Sequence, residues 1–353
     1  MNQTPEQYKE EADRLLQAER TERKIGRLEN DLRIHKARTD SAEKRMHEAE
    51  LIRESVFGLA DTPLTAPEWM LERSGAGDAP HTALLFTSDF QWGEVVDPEN
   101  TDGINEFSVG IAEVRYRRLV EKTIELSFEH LPVNRYDGLV YLRGGDTVSG
   151  DIHDELRRTN ELSGLMAIPS VVSAEAWGLR KLADAFGRVH VVSVPGNHGR
   201  TTLKPPTKLI EENYDWIASC FLERELRGDA RFTWLTPRAP DALFKMHGRT
   251  YVLTHGDNIG TKGGKGFVGP LAPINRGASL VLTQYAGRGI TVSKLFMGHY
   301  HVSFDFGRGW SNGSLPGYSE MAFGGRMTLE PPQQWLIMFH PKYGDTSQWK
   351  VRL

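Results

Sequence analysis

The segment TALLFTSDFQ, residues 82–91, sets the pattern on which the rest of the chain is built. In this segment a short apolar run is followed at once by Asp89 and Gln91, whose side chains can bind a metal ion. Short apolar runs of this kind, closed by a polar residue or glycine, are typical of buried strands in an α/β sheet.

The same arrangement recurs four times further along the chain. The repeats are DGLVYLRGG before Asp146, VHVVSVPG before Asn197 and His198, YVLT before His255, and KLFMG before His299 and His301. In open α/β sheets ligands bind beyond the carboxyl ends of the strands, so side chains that are distant in sequence can converge there. Carboxylate, carboxamide and imidazole groups suit manganese, zinc or iron rather than soft copper. The five segments together predict a centre for two metal ions.

The composition bounds the class of protein. The chain has 353 residues, of which 39% are hydrophobic and 25% charged, enough for one large catalytic domain with an appendage. The net charge of −4 argues against a generally basic nucleic-acid surface, although it allows a local basic groove. The single cysteine, Cys220, excludes an intrachain disulfide and fits a reducing compartment.

Neither a signal peptide nor a membrane span is expected. The N-terminus MNQTPEQYKEEADR is charged throughout, unlike a secretory signal. No apolar run approaches the roughly 20 residues that a membrane-spanning helix needs. These features predict a soluble, cytoplasmic protein that does not bind membranes.

Residues 1–60 are predicted to form an N-terminal helical segment. Residues 5–57 contain only one glycine, Gly26, and a dense mixture of Glu, Lys and Arg, which is typical of a long helix. A heptad seam over residues 25–49 starts with apolar residues and then weakens. A solvated helix and a coiled coil that forms a homo-oligomer both fit. The coiled coil is favoured because so long a polar helix is rarely stable alone.

The remainder is predicted to be a linker followed by one domain. Residues 61–80 carry three prolines and two glycines and predict a linker, which Trp69 and Met70 can pin to the domain of residues 81–353. Strands alternating with helical stretches predict mainly parallel pairing with covering helices. The helical stretches are residues 104–131, 172–186 and 207–227. After His301 the pattern changes to short strands and turns, including SFDFGRGW, GYSEMAF and QWLIMFH, and predicts a second sheet that closes the domain.

The order of the motifs resembles that of the calcineurin-like metallophosphoesterase superfamily over about residues 81–340. The fragments that match are Asp89-Phe-Gln91, Gly145-Asp146, Gly196-Asn197-His198, His255 and Gly298-His299-Tyr300-His301. The phrases GDTVSGDIHDEL, GNHGRTT and NGSLPGY resemble bacteriophage-type members in particular. The resemblance implies a four-layer α-β-β-α sandwich and, for a phage-encoded chain, a location in the host cytoplasm.

The resemblance also implies a ligand set for two divalent metal ions. It assigns the first ion to Asp89, Gln91, Asp146 and His301, and the second to Asp146, Asn197, His255 and His299. Asp146 would bridge the two ions. Two carboxylates leave net positive charge on two dications, which suits a phosphate oxygen and an activated water.

Two further residues receive catalytic roles from the resemblance. His198 would protonate the leaving oxygen or stabilise charge on the phosphate, and Arg200 would bind a phosphate oxygen. The chain departs from the family at Gln91, where the family has His, and this favours Mn²⁺ over zinc, iron or nickel. It also departs at Ser149, where the family has Asp. Residues that could orient His198 instead are Asp151, His153 and Asp154.

The glycine-rich stretch GTKGGKGFVG, residues 260–269, does not fit the nucleotide-binding pattern, which needs a glycine at Ile259 and Ser or Thr at Gly266. It is either an active-site loop whose Lys262 and Lys265 contact substrate phosphates or an ordinary surface loop.

The predicted function is that of a metal-dependent phosphoesterase. Phosphodiesters are favoured, with nucleic acid or a nucleotide as substrate, because the superfamily includes nucleases. The alternatives are a protein or small-molecule phosphomonoesterase, and an inactive scaffold assembled by the coiled coil.

Overall fold

The computed structural model of the protein describes residue 36 and residues 66–71, 80–131, 135–203, 210–259, 271–326 and 328–353. The chain divides into two compact units, Met1–Gly58 and Leu59–Leu353, and the elements below belong to the second. The predicted N-terminal helix, apart from Lys36, and the glycine-rich loop of residues 260–269 lie outside the described residues.

The strands of the described residues form two sheets. The first sheet has six strands, which are β1 (His81–Thr87), β2 (Tyr136–Arg143), β3 (Val189–Ser193), β4 (Phe232–Leu235), β10 (Gln333–His340) and β11 (Gly344–Arg352). The second has five strands, which are β5 (Asp241–Met246), β6 (Arg249–Thr254), β7 (Val292–Met297), β8 (Phe304–Asp305) and β9 (Gly309–Ser311). Their orders are β11-β10-β1-β2-β3-β4 and β5-β6-β7-β9-β8.

The helices lie between the strands in sequence. The α-helices of the described residues are α1 (Glu68–Leu71), α2 (Val109–Glu125), α3 (Asp154–Thr159), α4 (Gly164–Phe186), α5 (Tyr214–Glu225), α6 (Leu271–Ala286) and α7 (Glu320–Gly324). Short 3₁₀ turns occur at Pro98–Thr101 and Ile210–Glu212, and α2 continues as a π-helical turn over Leu126–His130. No described helix combines the length and the apolar character that crossing a membrane requires.

The central strands pair in parallel, as predicted. Strands β1, β2, β3 and β4 pair with one another in parallel, and so do β6, β7 and β9. Strand β1 is buried along TALLFT, and β3 is buried throughout. Side chains buried on both faces are what a parallel sheet covered by helices requires. The predicted α/β fold with two sheets is confirmed.

The faces of the second sheet show how the layers stack. Leu253 of β6 and Phe296 of β7 point into the core between the sheets, where they meet side chains of the first sheet such as Phe86. Their neighbours Val252 and Leu295 point to the opposite face and join a cluster with helix α6. This alternation follows from the two-residue period of a strand.

Helices cover the outer face of the first sheet. The hydroxyl of Tyr116 on α2 lies 3.3 Å from the hydroxyl of Tyr141 on β2. Gly178 of α4 lies so close to the Tyr116 side chain that a Cβ atom at this position would overlap it. Helices α4 and α5 also pack against each other. The packing order is therefore helix, sheet, sheet, helix.

The prediction for the chain after His301 is wrong in part. Strands β8 and β9 extend the second sheet, but QWLIMFH becomes β10, which inserts antiparallel beside β1 in the first sheet. The segment GYSEMAF contributes helix α7 rather than a strand. All eight residues of β10 are buried, and such a strand needs partners on both sides, which only an internal position supplies.

Helix boundaries differ from the predicted ones at several ends. Helix α4 starts at Gly164 rather than at residue 172, although Pro169 lies inside it, and α5 starts at Tyr214 rather than at residue 207. The predicted linker also contains helix α1, whose Met70 is fully buried in the core between the sheets. The packed part of the chain therefore begins before residue 81.

Candidate metal centre

The ends of five strands bring the predicted ligands together. Two groups of side chains place their ligand atoms within 4.8 Å of one another, Asp146 with His255 and His299, and Asp89 with Asp146 and His301. The two groups share Asp146, which is the residue expected to bridge two ions. Gln91 and Asn197 join them through hydrogen bonds to Asp146 and His255.

Asp89 follows β1 and is completely buried. Its carboxylate accepts the backbone N–H of His299 at 3.0 Å, and its Oδ1 lies 3.3 Å from Nε2 of His301. The side chains of Asn312 and Gln334 hold the preceding Ser88, whose hydroxyl donates to Asp89. The first ligand loop is therefore supported by residues from the end of the chain.

Asp146 lies at the middle of the cluster. Its Oδ1 accepts the backbone N–H of His198 at 2.8 Å, and its Oδ2 lies 3.1 Å from Nε2 of His255 and 3.3 Å from Nε2 of Gln91. Burial alone would raise the pKa of the Asp146 carboxyl, but the His255 and His198 imidazoles hold that pKa well below its usual range. Asp146 is therefore a carboxylate at neutral pH.

The backbone at the predicted ligands is strained. Non-glycine residues rarely adopt positive φ, and of the eight described residues that do, five are predicted ligands. These are Asp89 (54°), Gln91 (47°), Asp146 (51°), His299 (71°) and His301 (55°). Such strain persists only where the surrounding structure enforces it, and it clusters at functional sites.

Two glycines beside the ligands are required by close approach. A Cβ atom on Gly196 would overlap the Asp146 carboxylate, and one on Gly298 would overlap the Asp89 carboxylate. The loops before Asn197 and His299 can therefore approach the two carboxylates only because these positions lack a side chain.

His255 presents a defined ring nitrogen to the centre. Its Nδ1 lies 2.9 Å from the carbonyl oxygen of Gly144, to which it donates, so Nε2 faces Asn197 Oδ1 at 3.0 Å and Asp146. Burial lowers the pKa of His255, but the Asp146 carboxylate outweighs it and raises that pKa to about 10. The pKa of His299 is lowered to about 4 by burial and by the neighbouring His255.

An orphaned oxygen tests whether these residues fit a metal. Oε1 of Gln91 is buried and has no hydrogen-bond partner among the residues that the structure describes. A buried acceptor without a partner costs free energy, about 1–3 kcal/mol, unless something else binds it. Together with two carboxylates, Asn197 and three imidazoles, this oxygen completes a donor set that suits divalent ions. The residues fit a two-metal centre, and metal binding by them remains a prediction.

The His198 ring is held by a main-chain oxygen and not by any of the three side chains predicted to orient it. Its Nδ1 lies 2.9 Å from the carbonyl oxygen of Ser149, and its Nε2 lies 3.9 Å from Oδ2 of Asp146. Of the three candidates, Asp151 accepts the backbone N–H of Gly164, and the ring of His153 lies 5.1 Å from the His198 ring. Asp154 begins helix α3 on the surface. A main-chain oxygen therefore orients the His198 ring.

Arg200 lies on the loop that follows Asn197. Its Nε donates to the carbonyl oxygen of Asn197 at 3.0 Å, while Nη1 is buried without a partner within the described part of the chain. A cavity of about 150 Å³ adjoins Arg200 and is also lined by Gly196, Asn213 and Asp257. Arg200 therefore lies between the loop that carries Asn197 and this cavity.

Sequence reasoning missed two acidic residues near the centre. Asp215 accepts backbone N–H groups from both the Asp146 and the Gly196 loops. Burial and the charge of Asp146 raise the pKa of Asp215 to about 6. Glu94 lies near His301, and burial raises the pKa of Glu94 to about 7. Neither carboxylate directly follows a strand, so the pattern that predicts the ligands gives no signal for Asp215 or Glu94.

Comparisons with known proteins leave the family unassigned. No protein-family model and no curated protein matches the chain. Among solved structures, a conserved uncharacterized protein from Streptococcus pneumoniae, described as a predicted phosphoesterase, is 9% identical with a TM-score of 0.27, over 76% of this chain and 98% of that one. A sulfate thiohydrolase from Thermus thermophilus is 10% identical with a TM-score of 0.29, over 80% of this chain and 57% of that one.

A third solved structure is a dimetal phosphatase from Danio rerio. It is 11% identical with a TM-score of 0.35, over 77% of this chain and 99% of that one. Similarities this weak carry no argument about activity.

Proposed function

We propose that the protein is a metal-dependent phosphoesterase that hydrolyses phosphodiesters of a nucleic acid or nucleotide. The observation that carries the proposal is the shared position of Asp146 between two groups of ligand side chains. Asp89, Gln91 and His301 would complete one metal site, and Asn197, His255 and His299 the other. When bound, two divalent ions supply positive charge for a phosphoryl oxygen and lower the pKa of a water molecule.

His198 is proposed to act on the leaving group. Because Nδ1 donates to the Ser149 carbonyl, Nε2 faces the centre, and the imidazolium form of the ring would donate its Nε2 proton to a leaving oxygen bound there. Nε2 lies 3.9 Å from Oδ2 of Asp146, which is too far for a direct hydrogen bond to that carboxylate. The main-chain contact keeps the ring in this orientation.

Arg200 is proposed to bind a phosphate oxygen. Its buried Nη1 has no partner in the described part of the chain, which favours an anionic ligand, and a guanidinium can bind two phosphate oxygens at once. The adjoining cavity offers room for the part of the substrate beyond the phosphate.

Manganese is the proposed metal, since Gln91 and Asn197 offer carboxamide oxygens beside the carboxylates. The preference for nucleic acid and the relation to bacteriophage-type members rest on the sequence motifs alone, and the cytoplasmic location rests on the composition of the sequence.

The test is a substrate panel on the metal-loaded protein. Chromogenic phosphodiester and phosphomonoester, single-stranded DNA and double-stranded DNA are each incubated with Mn²⁺ and wild-type or Asp146→Asn protein. We expect diester hydrolysis by the wild type and a loss of more than about 100-fold in Asp146→Asn, with folding unchanged by circular dichroism. Hydrolysis of the monoester alone would favour a phosphomonoesterase, and inactivity with every metal would favour a scaffold.

A further inference from the structure

We propose that Asp215 is a positioning residue that fixes the two ligand loops of the metal centre relative to each other, an inference that rests on the proposed function. Oδ2 of Asp215 accepts the N–H of Asp146 at 2.8 Å and that of Gly196 at 2.9 Å. Oδ1 accepts the N–H of Val148 at 3.1 Å. One carboxylate therefore binds three amides of two loops that are far apart in sequence.

The chemistry of the three contacts requires a carboxylate. The Asp215 side chain is 1% exposed, so water cannot replace its hydrogen bonds. Hydrogen bonds from amides to an ionised acceptor are about twice as strong as neutral ones. Because a single oxygen bridges the amides of Asp146 and Gly196, the distance between the two loops is set by that oxygen.

The start of helix α5 holds the second loop from both sides. Asn213, the N-cap of α5, donates from Nδ2 to the carbonyl oxygen of Gly196 at 2.8 Å, while Asp215 binds the N–H of the same residue. The N–H of Tyr214 donates to the carbonyl oxygen of Gly199 at 2.7 Å. The intervening residues Asn197 and His198 are thus held at both ends by one helix.

Asp215 is itself anchored to the first sheet. The hydroxyl of Ser219, one turn along α5, donates to the Asp215 carbonyl oxygen at 2.8 Å. Arg143 at the end of β2 donates to the Ser219 hydroxyl and forms a buried ion pair with Glu175 at 2.7 Å. The strand that leads to Asp146 and the helix that carries Asp215 are therefore joined beneath the ligand loops.

An Asp215→Asn substitution separates this role from mere folding. The volume stays the same, but Asn has one acceptor oxygen and an NH₂ group that would face an amide donor. It can therefore keep the contacts to Asp146 and Gly196 or the contact to Val148, but not both. Asp215→Ala removes all three. Loss of such a partner behind a metal ligand lowers metal affinity about 10–100-fold.

The experiment is a calorimetric titration of Mn²⁺ into the full-length, metal-free protein. We expect Kd to rise about 10–100-fold in Asp215→Asn and at least as much in Asp215→Ala. Asp229→Asn is the matched control, because the Asp229 carboxylate also accepts a backbone N–H, that of Arg231 at 3.0 Å, and we expect its Kd to equal that of the wild type.

The number of sites per chain and the Kd distinguish a partly unfolded variant from one that has lost the positioning of its ligand loops. A fold that is only partly populated lowers the number of sites per chain but leaves Kd in the folded molecules unchanged, and metal-free thermal unfolding reports that fraction. Equal Kd in the wild type and in both Asp215 variants would overturn the positioning role while leaving the proposed function intact. A wild-type protein that binds no divalent ion would overturn the proposed function and this inference with it.

Discussion

Gln91 is a predicted ligand at which the sequence departs from the family that it resembles. Its buried oxygen has no partner among the residues that the structure describes, and this makes the departure testable. If that oxygen is a metal ligand, Gln91→Ala should weaken one of two Mn²⁺ sites by about 10–100-fold and leave the other unchanged. The reason is that Ala offers no donor. Calorimetric titration of the metal-free proteins measures both affinities.

A second substitution at the same position tests the choice of metal. Gln91→His replaces a carboxamide oxygen by an imidazole nitrogen, which zinc and iron bind more readily, so metal preference should shift toward them. Gln348→Ala, on β11, is the matched control and should titrate like the wild type. Identical affinities of wild type and Gln91→Ala at both sites would show that the carboxamide is not a ligand.

Proton release is the second test at the residue scale. The Asp146 carboxylate raises the pKa of His255 to about 10, so the metal-free protein holds a proton on His255 at pH 7. A metal ligand must be deprotonated, so binding at pH 7 should release about one proton from this residue and tighten as pH rises toward 10. Calorimetry in buffers of different ionisation enthalpy counts the protons.

The same pKa shift predicts how the metal-free fold responds to pH. The pKa of His255 in the folded protein lies above its ordinary value of 6.5. Protonated His255 therefore stabilises the fold fully below about pH 6.5, and this contribution to the free energy of unfolding is lost as pH rises through about 10. Metal affinity that does not depend on pH between 6 and 9 would contradict the assignment of His255 as a ligand.

At the scale of elements, the short helix α1 ties the segment before β1 to the core. Met70 is fully buried between the sheets, and its carbonyl oxygen accepts the N–H of His247 at 2.7 Å. Trp69 packs over Gly138 at the start of β2. Met70→Ala should therefore lower the free energy of unfolding by about 2–5 kcal/mol, because it leaves a cavity in the core.

Denaturant unfolding of the metal-free protein measures this change. Met166→Ala is the matched control, since Met166 on α4 is 60% exposed and its truncation should change stability by less than about 0.5 kcal/mol. Equal stabilities of the two variants would mean that α1 does not hold Met70 in the core.

At the scale of the whole molecule, a deletion tests whether the predicted coiled coil joins subunits. Removing residues 1–60 keeps helix α1 and every described ligand, so the remaining chain should fold and bind Mn²⁺ with unchanged affinity. Its mass by light scattering should fall to that of a monomer if the removed helix joins subunits. An oligomer that persists after the deletion would exclude that role for the helix.

How far the sequence predicts this molecule depends on whether a residue belongs to a local pattern. The convergence of Asp89, Asp146 and His255 could be predicted because each follows a buried apolar run, and parallel strands bring their ends together. The contact of the Ser149 carbonyl with His198 could not be predicted, because any residue type offers the same main-chain oxygen. The position of Asp215 could not be predicted either, because a carboxylate that binds amides of distant loops belongs to no motif with a fixed spacing.

Strand pairing is likewise predictable where it follows from a local pattern and not where it depends on distant contacts. The parallel strands follow from their apolar runs, whereas the insertion of β10 beside β1 depends on contacts across most of the chain. An apolar run such as QWLIMFH predicts a buried strand but does not indicate which sheet receives it.

The position of β10 also imposes an order of events during synthesis. The N–H of Ser88 donates to Oε1 of Gln334 at 2.9 Å, so a loop made early by the ribosome depends on a residue made late. Until residues 333–340 emerge, β1 presents an open edge to any other nascent strand, which invites misassembly. While the chain is still being translated, the loop that carries Asp89 therefore lacks its Gln334 contact until β10 has left the ribosome.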